Sequence, residues 1–344
     1  MSITKQKREE IKRYLLRHIS QQDRDYIAKT QDAYGISKTT VYNYVRQLVE
    51  SGAIQPVADE RFPYQLVSIN HSFVYHTTDQ LEEDRIFDRD IAPLLQNLTR
   101  NVFDIWRYSF TEMMNNAIEH AEAATIGCSV VQNALYTDIL IADDGVGIFS
   151  KIRNYYECAF GASITLDEAV ATLFAGKFTT DQSRHSGEGI FFTSRAVDEF
   201  FILSEGKIFA HDVFSEAMAP IDDPAFQHGT VVLMRQEDQS NKDLKEIMDL
   251  YSDSDRGFFK TQLPVAHIFP NRYPVSRSEA RRLGAMISKF EEVSLDFAGV
   301  ERIGQGFAHE LFVVFPAHNP NIQLATTNAC PEVQGMIDRV IHTA

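Results

Sequence analysis

Apolar positions near the start of the chain recur at the 3.6-residue period of a helix. In KREEIKRYLLRHI the stripe is Ile11, Leu15, Leu16 and Ile19. RDYIAKTQDAYG predicts a second helix stopped by Gly35. In GISKTTVYNYVRQLVESGAI, Ser37 is placed to cap a third helix, Val41, Val45, Leu48 and Val49 form its apolar face, and Gly52 ends it. AIQPV and YQLVSI then read as two short strands. From about residue 85 the chain is helical through IAPLLQNLTRNVFDIWRYSFTEMMNNAIEHA, followed by alternating strands TIGCSVVQ and YTDILIADDG. Helical pieces near 148–158 and 166–174 lead to the helical GIFFTSRAVDEF, and the strands FFILSE, KIFAHDVF and GTVVLMR close this part. The polar stretch from Gln236 to Gly257 reads as a connector. Beyond it, strands and helices alternate: FKTQLPVAHIF, SRSEARRLGAMISKF, EVSLDF, GFAHELFVVF, IQLATT and CPEVQGMIDRVI. That alternation predicts a small parallel or mixed sheet with helices against it.

A chain of 344 residues with this pattern divides into a head (1–70), a middle unit (80–236), a linker (237–255) and a tail (256–344), in a multidomain α/β and α+β fold. The overall charge of −15 hides an asymmetry. Residues 1–56 carry ten lysines and arginines against six acids, a net +4, and the remainder carries 23 against 42, a net −19. A mildly basic head on an acidic body fits a nucleic-acid-reading module joined to something else. No run of apolar residues approaches the roughly 20 needed to span a bilayer, and the first residues carry charge with no apolar stretch behind it. Cys128, Cys158 and Cys330 are scattered, read as small core residues, and fit a reducing, cytoplasmic compartment.

The head, with GISKTTVYNYVRQLVESGAI at the turn and third helix, resembles the winged helix-turn-helix domains of prokaryotic regulators. The resemblance implies double-stranded DNA as partner, with Lys38, Thr39, Tyr42, Asn43 and Arg46 as exposed contacts to phosphates and base edges. We prefer that reading to a three-helix protein dock with the same stripe.

The middle unit carries the chemistry. On a helix through TEMMNNAIEHA, Glu112, Asn116 and Glu119 share one face. A carboxamide oxygen suits a hard cation such as Mg²⁺, and a carboxylate one turn away can take a proton from an attacking water or hydroxyl. YTDILIADDGVGIF ends a strand in Asp143, followed by Gly145 and Gly147. Such an aspartate can accept a hydrogen bond from an exocyclic amine while glycines let backbone approach a flat ring. HSGEGIFF places Gly187 and Gly189 at a helix start, where bare N–H groups suit phosphate oxygens. FQHGTVVLMR puts Thr230 at the head of a strand.

These four pieces, in this order, resemble the ATP-binding domain of the GHKL superfamily of gyrases, chaperones, histidine kinases and mismatch-repair ATPases, a Bergerat-type α/β sandwich. The resemblance implies ATP and Mg²⁺, with Glu112 as general base, Asn116 on the metal, Asp143 on the adenine amine with Gly145 and Gly147 beside it, Gly187 and Gly189 at the phosphates, and Thr230 supporting adenine through water. The intervening AGKFTTDQSRHS corresponds to a flexible lid, with Lys177, Thr179, Thr180 and Arg184 as weaker phosphate contacts; Asn115 and His120 are second to the ligand or simply helix surface. The wording TEMMNNAIEHA is most similar to anti-sigma-factor serine kinases, and no phosphorylatable histidine region is apparent.

The tail, most clearly SLDFAGVERIGQGFAHELF, resembles the STAS-like domains found beside such ATPases, which implies a protein partner. In anti-sigma antagonists the matching loop carries a phosphorylated serine; here it reads Ile303-Gly304-Gln305-Gly306-Phe307, with no hydroxyl. His309 and Glu310 do not complete a zinc motif. The expectation is a slowly hydrolysing ATP-responsive transcriptional regulator, the alternative a serine/threonine kinase acting on a separate protein. Dimers are common among such regulators, and no interface is legible.

Overall fold

The computed structural model describes residues 4–59, 61–160, 164–177, 187–210, 228–269 and 273–343. The head consists of α1 (Lys5–Ser20), α2 (Tyr26–Tyr34) and α3 (Lys38–Glu50), then an antiparallel hairpin of β1 (Ile54–Pro56) and β2 (Tyr64–Leu66). Ser37 caps α3 by accepting the Thr40 N–H at 3.2 Å. The expected stripes close on one core: Ile11, Leu15, Val41 and Val45 are almost fully buried, joined by Tyr44. YQLVSI is not one strand. Its first half pairs with β1, and Ile69 opens β3 (Ile69–His76), the edge strand of the next unit, so the middle unit begins near residue 69 rather than 80.

That unit is a six-stranded, wholly antiparallel sheet in the order β3-β4-β5-β8-β6-β7, with β4 (Thr125–Gln132), β5 (Tyr136–Asp143), β6 (Glu199–Ser204), β7 (Lys207–Ala210) and β8 (Thr230–Glu237). Period-two burial puts Ile126, Cys128, Ile139, Ile141, Ile202 and Met234 on one face. Against it lies α5 (Arg100–Asn115), preceded by α4 (Glu83–Ile86); Trp106, Phe110, Met113 and Met114 of α5 are at most 1% exposed. Helices α6 (Ile148–Phe160), α7 (Leu166–Ala175) and α8 (Gly189–Ala196) complete the layer. Helices confined to one face of an antiparallel sheet make this unit α+β.

The connector is built structure. It contains α9 (Leu244–Asp249), whose Ile247 packs on the middle and tail cores alike, and a short β9 (Ser252–Asp253)–β10 (Gly257–Phe258) pair. The tail is a parallel sheet β11-β12-β13 (Lys260–Pro264, Glu292–Asp296, Gln323–Thr327) with α10 (Val265–Ile268), α11 (Arg277–Ile287), α12 (Gln305–His309), α13 (Phe315–His318) and α14 (Pro331–His342). Its core is not self-contained: Ala171, Ala175, Phe191 and Phe192 of the middle unit are buried in it. Cys128 is buried, but Cys158 is exposed, contrary to its expected place in a core.

Candidate functional site

Strand register builds the floor of the site. Asp143 ends β5 directly opposite Thr230 at the start of β8, and Thr230 in turn pairs with Ser204 of β6. Asp143 Oδ1 accepts the backbone N–H groups of Gly145 at 3.0 Å and Thr230 at 3.2 Å. Among the described residues Oδ2 has no hydrogen bond, and Asp143 lines a cavity of about 340 Å³, within the range of small-molecule sites. Burial raises the Asp143 carboxyl above its ordinary range, opposed by those two N–H groups. The adjacent Asp144 does other work. Its Oδ1 accepts from Ala124 and Thr125 at 2.8 and 2.9 Å, pinning the start of β4, and these N–H groups hold its carboxyl below the usual range. Thr230 Oγ1 accepts the Ile148 N–H at 3.1 Å, fixing the entry of α6. Ile141, Ile202 and Val232 make the floor apolar.

One wall is the C-terminal end of α5. Glu112 and Asn116 line the cavity together, as their spacing predicts. Glu119 does not: it is exposed, and His120 lines the cavity instead. Residues Asn116–His120 form a π-helical turn, whose i→i+5 bonding inserts one residue, so position 120 takes the place expected of 119. Asn115 also lines the cavity. The Asn116 carboxamide makes only a long contact, Nδ2 to Met113 Sδ at 4.0 Å, leaving its oxygen without a hydrogen bond among the described residues.

A second wall is the start of α6. Gly147 has φ +85°, and a side chain there would run into the Glu205 carboxylate, which accepts from the Ser150 N–H at 2.7 Å and from its hydroxyl. Lys151, one turn on, lines the cavity; its amine donates to the His120 carbonyl at 2.5 Å and to Glu122 at 2.8 Å, bracing the π turn. Sequence reasoning missed it because a lone lysine on an amphipathic helix carries no signal. Gly145 is not a lining residue: a Cβ there would overlap the Ala121 carbonyl, so its bareness serves the packing of loop on helix end.

The third side is the head of α8, where Gly187, Glu188, Gly189 and Phe191 line the cavity. Lys177 does not join them. Its ammonium sits 4.9 Å from the Phe290 ring centroid and 5.5 Å from that of Phe258 and donates to the Lys289 carbonyl at 3.1 Å, turned toward the tail, and burial lowers its pKa. Thr179, Thr180 and Arg184 lie outside the described residues.

Among the described residues no group of three or more His, Cys, Asp and Glu could hold a metal. The oxygen-bearing side chains that line the cavity are the Asn115 and Asn116 amides and the Glu112, Asp143 and Glu188 carboxylates, with Thr230. In the head, Lys38, Thr39, Tyr42, Asn43 and Arg46 are all exposed on one side of α3, and Arg46 donates to Asn43 Oδ1 at 2.6 Å. In the tail, Gly304 is crowded: a Cβ would lie 2.6 Å from the Val275 carbonyl oxygen. No helix among the described residues is long and apolar enough to cross a membrane.

Comparison with curated proteins gives no match. Residues 279–334, from the first turn of α11 to the first turn of α14, match a STAS-like domain of unknown function (DUF4325).

Proposed function

We propose that the chain is a cytoplasmic, ATP-binding transcriptional regulator whose middle unit binds and slowly hydrolyses ATP, with the bound state governing how the head meets DNA or the tail meets a protein partner. The observation that carries this reading is Asp143. One carboxylate oxygen is held by two backbone amides and the other has no hydrogen bond among the described residues, beside an apolar floor fit for a flat ring, with an acid and an amide on the neighbouring wall. Asp143 Oδ2 accepts from the adenine amine, and Ile141, Ile202 and Val232 pack on the ring. Asn116 contributes its amide oxygen to Mg²⁺, which when bound neutralises charge on the phosphates. Glu112 takes a proton from the attacking water as the water oxygen bonds to the γ-phosphorus and the bond to the bridging oxygen breaks, giving ADP and phosphate. The exposed row on α3 supports DNA as the head's partner.

The test is calorimetric titration of the full chain with ATP, with and without Mg²⁺. We expect saturable binding that Asp143→Asn weakens by about 10- to 100-fold, because a hydrogen bond to a charged group is lost and an amide donor faces the amine. No binding by the folded chain would remove the reading. Mobility shift on genomic fragments with and without ATP tests the switch. Transfer of γ-labelled phosphate to added proteins, without free phosphate release, would favour a protein kinase.

A further inference from the structure

A general base must be held where it is needed, yet Glu112 reaches the cavity on a long side chain. The opposing surface is the first residue of α8. A Cβ placed on Gly189 would overlap Glu112 Oε2 and come within 3.0 Å of its Cδ and 3.3 Å of its Cβ, so the whole arm lies across the missing side chain. Neither helix has room to retreat. Beside Glu112, Met113 and Met114 are 1% and 0% exposed. Behind Gly189, Phe191 lies 4.5 Å from the Phe258 ring and 5.0 Å from Tyr251, and Phe192 lies 5.1 Å from Phe258. The soft element between two packed surfaces is the Glu112 arm itself.

We propose that Gly189 is a positioning residue for Glu112: its bare α-carbon is the seat of the carboxylate, and a methyl group there displaces the base rather than the fold. This goes beyond a phosphate-facing glycine, and it rests on the reading of Glu112 as the base. The two roles separate by size. A methyl that blocks a ligand does so whatever stands at position 112, whereas a methyl that blocks the arm stops mattering once the arm is shorter by one methylene.

The experiment is a double-mutant cycle on the full chain, wild type, Gly189→Ala, Glu112→Asp and the pair, with phosphate release at saturating Mg·ATP and affinity for a non-hydrolysable ATP analogue measured on each. Gly189→Ala is expected to lower kcat by roughly 10²-fold, the scale of a mispositioned base, with little change in affinity. In the Glu112→Asp background the same change is expected to cost less than about twofold. Equal losses in both backgrounds, or a loss carried by affinity instead of kcat, would overturn the seat while leaving the ATPase reading intact. If Gly189→Ala unfolds, restoration of the fold by Glu112→Asp supports the seat and failure to restore it overturns it. A wild type that binds ATP yet neither releases phosphate nor transfers it to added proteins overturns both seat and base, and one that ignores ATP overturns the proposed function itself.

Discussion

Where the head meets the middle unit, Arg13 and Arg17 of α1 converge on one carboxylate, Glu237, at 2.6 and 2.7 Å, and Leu135 from the β4–β5 turn enters the head's core. Where the tail meets the same unit, aromatic rings interleave: Phe191 and Phe192 pack on Phe258, which packs on Phe290 at 5.1 Å. The first junction is largely charge, half in water, with Arg17 49% and Glu237 27% exposed. The second is a continuous hydrophobic core. Ion pairs in such settings are weak and screened by salt, whereas buried rings are not. The head is thus tethered and the tail fused, so a change at α8 reaches the tail through packed rings and reaches the head only across the sheet.

The single tryptophan, Trp106, is fully buried in the middle unit and reports that unit alone. Phe258→Ala lies in the core of the tail, yet should cost about 3–5 kcal/mol and move the Trp106 unfolding transition with it. A Trp106 transition left in place would show two independent cores. Glu237→Gln should cost only about 1 kcal/mol or less, with salt producing the same loosening in wild type; limited proteolysis between residues 56 and 69 as salt rises would detect it, and no salt dependence would argue for a rigid joint. A pH-dependent effect lies next door. Burial pushes the Asp238 carboxyl from 3.8 up to about 6, although it accepts from Thr137 Oγ1 at 2.9 Å. A raised folded-state value means the native state holds the proton more tightly, so stability from this group grows as pH falls through about 6 and is lost as pH rises. The midpoint of wild type relative to Asp238→Asn should therefore increase between pH 7 and about 4.5; a flat difference would mean Asp238 titrates alike in both states.

Much of this was legible in the chain. The head's helices carry clean stripes, with Ser37 legible as the cap of α3, and the meeting of Glu112 with Asn116 follows from helix spacing; Asp143 and Thr230 were legible as strand ends, and their register opposite one another was not. What was not legible has physical causes. A π turn leaves no mark on residue types, so Glu119 was expected where His120 stands. An edge strand needs only one protected side, so INHSFVYH, with Tyr75 alone deeply buried, alternates too weakly to be read as a strand. Lys177 is drawn off the site by two rings more than eighty residues away in sequence. The connector's Ile247, Met248 and Tyr251 look unremarkable among acids until the cores on either side are in place.

The crowding at Gly304 sets a bound on how this tail could come to carry a signal. Installing a hydroxyl at that position by one replacement would force the main chain at Val275 aside, and Val275 is also where the neighbouring Phe307 N–H is anchored at 3.1 Å. A serine at position 304 would therefore need the Val275 backbone to shift with it, whereas at Gly306 a side chain would meet Val275 only at 3.4 Å.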